Sequence, residues 1–208
     1  WHVSGKGKSA PWQRGFDKVY PQEAAMSGSG APTFKEPRAD VDGYPLAEDY
    51  ATNLINKHAE GFLREAKQVD KPFFLYLAHT APHWPLLALR EDIAHYKGRY
   101  DKGWDAIRQQ RFDKQKALHI IADTAALSTR DANLYDWDSL SSAEKQGWSR
   151  KMEVFAAMVH RLDISIGSLL HTLEANGQLS NTVIFFLSDN GAPAEDLRKW
   201  HLGNKTST

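Results

Sequence analysis

The chain has 208 residues and carries 26 basic and 26 acidic side chains, so its formal net charge is zero. This neutral balance gives no electrostatic attraction to nucleic acid or to an anionic membrane, and no apolar run approaches the roughly 20 residues that cross a bilayer. An apolar content of 41% and a charged content of 25% are typical of a globular protein that buries a core.

Cysteine is absent from the chain. Its absence excludes disulfides, a thiolate zinc site and a cysteine nucleophile within these residues, and it leaves the redox compartment undecided. The sequence begins at Trp1 without an initiating Met, and it stops at Thr208 with no closing element. We therefore expect residues 1–208 to be a fragment that is truncated at both ends.

The first half of the chain contains one predicted helix and one predicted strand. Residues 1–45 are rich in Gly, Ser, Pro and Lys and show no sustained periodicity. Apolar residues then recur at helical spacing over residues 46–68. Lys71-Pro72 ends this pattern, and the apolar run 73–78 predicts a buried strand.

A long irregular region follows this strand. Pro82 and Pro85 exclude a regular helix at the start of loop 79–101. Residues 104–121 predict a basic amphipathic helix with a solvated face, and residues 122–140 are again a loop. So long a connection is unusual in a compact domain and indicates a functional surface.

The second half predicts a long helix followed by a second strand. Ser141-Ser-Ala-Glu144 is a capping-box pattern, and Asn176-Gly177 ends the helix with a glycine suited to the left-handed cap position. The predicted apolar stripe of this helix consists of Met152, Phe155, Ala156, Val159, Leu162, Ile166, Leu169, Leu170 and Leu173. Residues 182–187 form an unbroken run of apolar or β-branched residues, which predicts a parallel strand covered on both faces. The order of elements predicts an α/β layered domain.

Polar residues stand directly after both predicted strands. In open α/β sheets, ligands bind beyond the carboxyl ends of the strands, where Asp189 and Asn190 offer hard oxygen ligands for Ca²⁺ or Mg²⁺. An Asx turn that closes a strand is the favoured interpretation of this segment alone. His83 is suited to hydrogen-bond an anionic substrate oxygen, although a loop histidine packed against Trp84 is the favoured interpretation of this segment alone.

Both ends of the chain also carry candidate site residues. His2 precedes the loop Lys6-Gly7-Lys8, in which lysines and backbone N–H groups are suited to an anion, although solvated lysines are the default. Lys205 lies in a Gly-Asn turn about fifteen residues after the Asp-Asn pair, and an exposed tail lysine is the simpler interpretation.

Several segments, taken in order, resemble one family. They are Trp1-His2, Arg14-Gly-Phe-Asp17, residues 72–83, residues 96–105, residues 152–167, residues 187–191 and Gly203-Asn-Lys205. Together they are similar to the middle of a type I sulfatase of the arylsulfatase group, in the alkaline phosphatase superfamily. The resemblance runs over nearly all 208 residues. It implies an α/β fold, as part of an alkaline phosphatase-like sandwich with a mixed, mostly parallel sheet flanked by helices.

The resemblance assigns roles to five residues. Asp189 and Asn190 match the family's second pair of Ca²⁺ ligands, with Mg²⁺ the less favoured ion. His83 matches a histidine that binds the sulfate and the bridging ester oxygen, and Lys205 matches a lysine that contacts the same group. His2 matches a histidine that assists the formylglycine nucleophile.

The family's nucleophile motif, Cys/Ser-x-Pro-x-Arg, does not occur in the chain, and neither does the pair of aspartates that completes the metal site. The resemblance implies that both lie upstream of Trp1. We therefore expect residues 1–208 alone to turn over no substrate and to hold Ca²⁺ weakly.

The resemblance implies a sulfuric ester hydrolase that acts on an aryl sulfate or a sulfated carbohydrate, with no nucleic-acid partner and no membrane segment in this chain. Two alternatives stay open. One is a phosphatase or phosphonate monoester hydrolase of the same superfamily, and the other is a non-catalytic relative that binds sulfated glycans. Family resemblance implies an exported or lysosomal enzyme, while the particular ester and the oligomeric state are not indicated.

Overall fold

The computed structural model describes residues 11–20, 42–69, 71–83, 86–132 and 134–191. Four α-helices form the frame of this part of the chain: α1 (Ala51–Lys67), α2 (Arg90–Ala94), α3 (Gly103–Ala117) and α4 (Ser142–Ala175). Short 3-10 turns lie at Pro11–Gln13, Ala47–Asp49, Trp137–Ser139 and Leu179–Asn181. Although α4 has 34 residues, no helix in the described ranges is both long and apolar enough to span a membrane.

The predicted ends of the long helix are confirmed. The Ser141 hydroxyl accepts a hydrogen bond from the Glu144 backbone N–H at 3.3 Å, and the Glu144 carboxylate accepts one from the Ser141 N–H at 2.9 Å. At the other end Gly177 has a φ of 69°, and the Gln178 N–H donates to the Leu173 carbonyl at 2.9 Å. This six-to-one bond with a left-handed glycine is the Schellman cap that the sequence predicted.

Helix α3 ends four residues earlier than its apolar pattern predicted. His119 takes a φ of 54°, and the Ile120 N–H donates to the Gln115 carbonyl at 2.9 Å. The same Schellman arrangement therefore ends α3, but with a histidine in the left-handed position. A non-glycine residue rarely takes this conformation, so no residue pattern predicted this end of α3.

The core lies where α1 and α2 pack against α4. Ala88, Ile93, Ala157 and Met158 form a buried cluster, and Leu63 of α1 is 2% exposed. Polar contacts join α4 to α2 and the C-terminal end of α4 to α1. Arg161 of α4 donates to both carboxylate oxygens of buried Asp92, at 2.7 and 2.8 Å, and the Asn176 side chain donates to the Leu63 carbonyl at 3.3 Å.

The face of α4 that packs is not the predicted apolar stripe. Leu173 is the one stripe residue that is fully buried, and Met152, Phe155 and Val159 are exposed. The other five stripe residues are half-buried: Ala156, Leu162, Ile166, Leu169 and Leu170. The packed face contains Glu153, whose carboxylate accepts hydrogen bonds from the Gly98 N–H at 2.8 Å and from Arg150 at 3.0 Å. Paired polar groups are tolerated in a packed face, so hydrophobicity alone did not identify this face of α4.

The predicted sheet is not formed within the described residues. Apart from an isolated bridge at Pro45, they contain no β-strand. Phe74 is 79% exposed and Phe185 is 85% exposed, so the predicted burial of the two apolar segments is not found among the described residues. The faces of a strand are covered by the layers that pack on either side of a sheet, and the described residues form no sheet.

Candidate functional site

Asp189 and Asn190 lie in a bend that directly follows the apolar segment 183–187. The Ser188 hydroxyl donates to the Asn190 carbonyl at 2.6 Å, and the Asn190 amide nitrogen donates to the Gly191 carbonyl at 2.7 Å. These two local bonds fix the turn. They also orient the Asn190 side chain, so that its amide oxygen is left as an acceptor.

The oxygens of this turn are open. Asp189 is exposed, and its carboxylate makes no hydrogen bond or ion pair with any residue that the structure describes. Carboxylate and amide oxygens are the ligands that Ca²⁺ prefers. Within the described ranges, however, no three His, Cys, Asp or Glu residues are grouped so as to hold a metal ion. Asp189 and Asn190 thus provide only part of a ligand set in this part of the chain.

His83 lies at the end of a tight turn that follows the other apolar segment. Its backbone N–H donates to the Thr80 carbonyl at 2.9 Å, which closes the turn around residues 80–83. The side chain is exposed, so its imidazole is accessible from solvent. The hydrogen-bonded turn fixes the backbone of His83 at the end of the segment.

His79, four residues earlier, is in the opposite environment. Both of its ring nitrogens are buried, and neither has a hydrogen-bond partner among the described residues. Burial lowers the pKa of His79 to about 4, because the charged imidazolium loses its hydration there. His79 is therefore a neutral, packed histidine at physiological pH. The sequence did not distinguish its environment from that of His83.

Of the five predicted site residues, His83, Asp189 and Asn190 lie in the described part of the chain. The predictions for His2 and Lys205 fall outside the described residues, as does the packing of His83 against Trp84. The roles of all five residues therefore stay predictions.

The structure also contains a pocket that the sequence did not indicate. It lies between α3 and the loop that follows it, and its volume is about 270 Å³. Its lining residues are Trp104, Asp105, Arg108, Ser128, Thr129, Arg130, Asp131 and Leu134. Trp104 and Arg108 are four residues apart on α3 and so share a face, which was the only sequence signal for this pocket.

Comparison with known proteins identifies the family. The sequence profile of the Sulfatase family matches residues 1–208. The chain is 34% identical to an uncharacterized sulfatase of Schizosaccharomyces pombe, over 92% of this chain and 37% of that protein. It is 31% identical to an arylsulfatase of Klebsiella aerogenes, over 94% of this chain and 44% of that protein.

The chain is also 27% identical to human N-acetylglucosamine-6-sulfatase, over 74% of this chain and 25% of that protein. The chain belongs to the sulfatase family, as the resemblance of its ordered segments predicted. It spans less than half the length of each of these three relatives.

Proposed function

We propose that the protein is a sulfuric ester hydrolase and that residues 1–208 form the central part of its catalytic domain. Membership of the sulfatase family over the whole chain supports this proposal. The single structural observation that carries it is the pair of open oxygens on Asp189 and Asn190, at the end of the apolar segment 183–187.

Asp189 and Asn190 fit a hard divalent cation, with Ca²⁺ favoured over Mg²⁺. The Asp189 carboxylate is exposed and unpaired among the described residues, and the Asn190 amide nitrogen is already engaged, so both residues present oxygen. We assign the remaining ligands and the residue that becomes formylglycine to other parts of the protein. When bound, the cation would withdraw charge from the sulfate oxygens, and formylglycine would supply the nucleophile.

The residues of this chain then act on the charges of the ester. His83 binds the sulfate and donates a hydrogen bond to the bridging oxygen, where negative charge develops as the S–O bond breaks. Lys205 places its ammonium group against the same charge, and His2 assists the nucleophile by accepting or returning a proton. Each of these contacts becomes stronger in the transition state than in the bound ester, which is what accelerates the reaction.

The exposed apolar surfaces support the α/β fold of the complete domain. In residues 73–80, burial alternates from one residue to the next, with Phe73, Leu75 and Leu77 half-buried and Phe74 and Tyr76 exposed. This period of two is the pattern of an extended strand with one covered face. We propose that these residues and segment 183–187 join a mixed, mostly parallel sheet whose other strands lie outside the described residues.

Two substrate classes fit the names of the relatives. One relative is an arylsulfatase and another is an N-acetylglucosamine-6-sulfatase, which indicate an aryl sulfate or a sulfated carbohydrate for this protein. The neutral balance of the chain gives no reason to include nucleic acid.

The test is hydrolysis by the complete protein of three matched esters: 4-nitrophenyl sulfate, 4-nitrophenyl phosphate and a 4-nitrophenyl phosphonate. We expect Ca²⁺-dependent release of 4-nitrophenol with the sulfate at the highest kcat/KM. Preference for the phosphate or the phosphonate would move the assignment to a neighbouring activity of the superfamily. Binding of sulfated glycans without turnover of any ester would identify a non-catalytic relative.

A further inference from the structure

The pocket between α3 and the residues Ser128, Thr129, Arg130, Asp131 and Leu134 contains two arginines that hydrogen bonds hold in place. Arg108 donates from one guanidinium nitrogen to the Ser128 carbonyl at 2.6 Å and to the Ser128 hydroxyl at 2.7 Å. These bonds leave its other N–H groups without a partner among the described residues. The loop is thus tied to α3, and the guanidinium is held at the pocket wall before any ligand arrives.

Arg130 is held in the same way from the opposite side. It donates to the Leu134 carbonyl at 3.2 Å and to the Tyr135 carbonyl, and its Nε lies 3.6 Å from the Asp105 carboxylate. The side chain is 34% exposed, so part of it remains accessible. Because both arginine side chains are already held in place, little side-chain entropy is lost when a ligand binds to them.

The charges in the lining cancel. Arg108 and Arg130 contribute two positive charges, and Asp105 and Asp131 contribute two negative charges. The arginines would attract an anion, but the two carboxylates would repel it at close range. The carboxylates would attract a cation, but the arginines would repel it. A neutral ligand that both donates and accepts hydrogen bonds satisfies both sets of groups.

The remaining lining fits the same kind of ligand. Trp104 and Leu134 give the pocket an apolar surface, while Thr129 adds a hydroxyl group. Its volume of about 270 Å³ is just below the roughly 300–1,000 Å³ of typical small-molecule sites, so it holds one ring rather than a chain of rings. We propose that this pocket binds a single neutral sugar unit, through hydroxyl groups on the charged residues and C–H groups on Trp104 and Leu134.

This proposal does not rest on sulfate hydrolysis, so the two can fail separately. The test is a titration of the complete protein with methyl β-D-glucoside, in which saturation-transfer difference NMR measures binding. We expect saturable binding with a Kd on the order of millimolar. Arg108→Leu should weaken it at least about tenfold and Thr129→Val should weaken it several-fold, because each removes donors from the pocket.

The matched control is Arg111→Leu, since Arg111 lies on the same helix and is exposed but does not line the pocket. It should bind the glucoside as the unmodified protein does. Thr129→Val keeps the charges and the Arg108–Ser128 bonds, so it gives a readout even where Arg108→Leu does not fold. Neither pocket variant should change turnover of 4-nitrophenyl sulfate, which carries no sugar.

Three results would overturn the proposal. The first is an absence of saturable glucoside binding to the unmodified protein. The second is binding that Arg108→Leu and Thr129→Val leave unchanged, which would place the sugar elsewhere. The third is displacement of the glucoside by inorganic sulfate, together with loss of sulfate binding in Arg108→Leu, which would make the pocket an anion site.

Discussion

His79 and His83 are four residues apart and have opposite environments. The ring nitrogens of His79 are buried without a partner among the described residues, whereas the His83 side chain is exposed at the end of a hydrogen-bonded turn. Chemistry with a charged ester needs an accessible imidazole, so the geometry favours His83 over His79 as the residue that contacts substrate. Sequence spacing could not separate the two, because burial depends on distant residues.

The role of His83 predicts a large catalytic effect. In the complete protein, His83→Ala should lower kcat/KM for 4-nitrophenyl sulfate by roughly 10²–10⁴-fold, because a hydrogen bond to the leaving oxygen is lost. Thr80→Ala is the matched control, since the turn uses the backbone carbonyl of Thr80 and that carbonyl is retained. If kcat/KM of His83→Ala stayed within a few-fold of that of the control, His83 would not have the proposed catalytic role.

Burial of His79 predicts a dependence of stability on pH. Its pKa is about 4 in the folded protein against an ordinary value of 6.5, so the unfolded chain binds the proton more readily between these values. Stability is therefore lost as the pH falls from 6.5 toward 4, by up to about 3 kcal/mol.

His79→Phe should reduce this loss. Thermal unfolding of the complete protein at pH 7 and pH 5 measures it, with His171→Phe as the control because the His171 side chain is 82% exposed. An unchanged difference in Tm between the two pH values in His79→Phe would show that His79 is not buried in the native protein.

At the scale of elements, both ends of α4 were predictable, whereas the end of α3 at His119 and the packed face of α4 were not. The capping box at Ser141 and the cap glycine Gly177 are local signals, carried by residues within one turn of the helix end. The packed face of α4 depends on Gly98, Asp92 and other groups far away in sequence, which pair with Glu153 and Arg161. No periodicity within α4 contains that information.

The start of α3 depends on a close contact with an aromatic ring. Gly103 has a φ of 83°, and a Cβ atom there would lie 2.3 Å from the Trp137 ring. Gly103→Ala should therefore lower the free energy of unfolding by about 2–4 kcal/mol, from backbone strain and steric overlap.

Chemical denaturation of the complete protein measures this change. Gly147→Ala provides the control, since Gly147 lies within α4 and a Cβ atom there meets nothing within 4 Å. It should be neutral or stabilise the protein by up to about 1 kcal/mol. Equal stability of the two variants would contradict the packing of Trp137 on Gly103.

The Arg161–Asp92 pair links α4 to α2. Asp92 is 1% exposed, so Arg161→Leu would leave a buried carboxylate without its partner and should cost about 3–5 kcal/mol. The double variant Arg161→Leu/Asp92→Leu should recover part of that loss, because the uncompensated charge is then gone. Denaturation midpoints of both variants test the pair, and a double variant less stable than Arg161→Leu alone would contradict this account.

At the scale of the whole molecule, the described residues have one packed side and one open side. Helices α1 and α2 cover one face of α4, while Met152, Phe155 and Val159 are exposed on another. The apolar segments 73–78 and 183–187 are also exposed on at least one face. The sequence pattern indicated an α/β domain correctly for the family, but a sheet requires strands from several parts of a protein, so it cannot be judged from these segments alone.

Asp189 is proposed to hold a metal ion that sulfate ester hydrolysis requires. The most direct test is Ca²⁺-dependent turnover of 4-nitrophenyl sulfate by the complete protein carrying Asp189→Ala. The control is Asp163→Ala, because Asp163 is an exposed carboxylate on α4 that the site does not use. We expect Asp189→Ala to lose at least about 10²-fold in kcat/KM and to need far more Ca²⁺, while the control keeps its activity. Full activity of Asp189→Ala at the same Ca²⁺ concentration would contradict the claim.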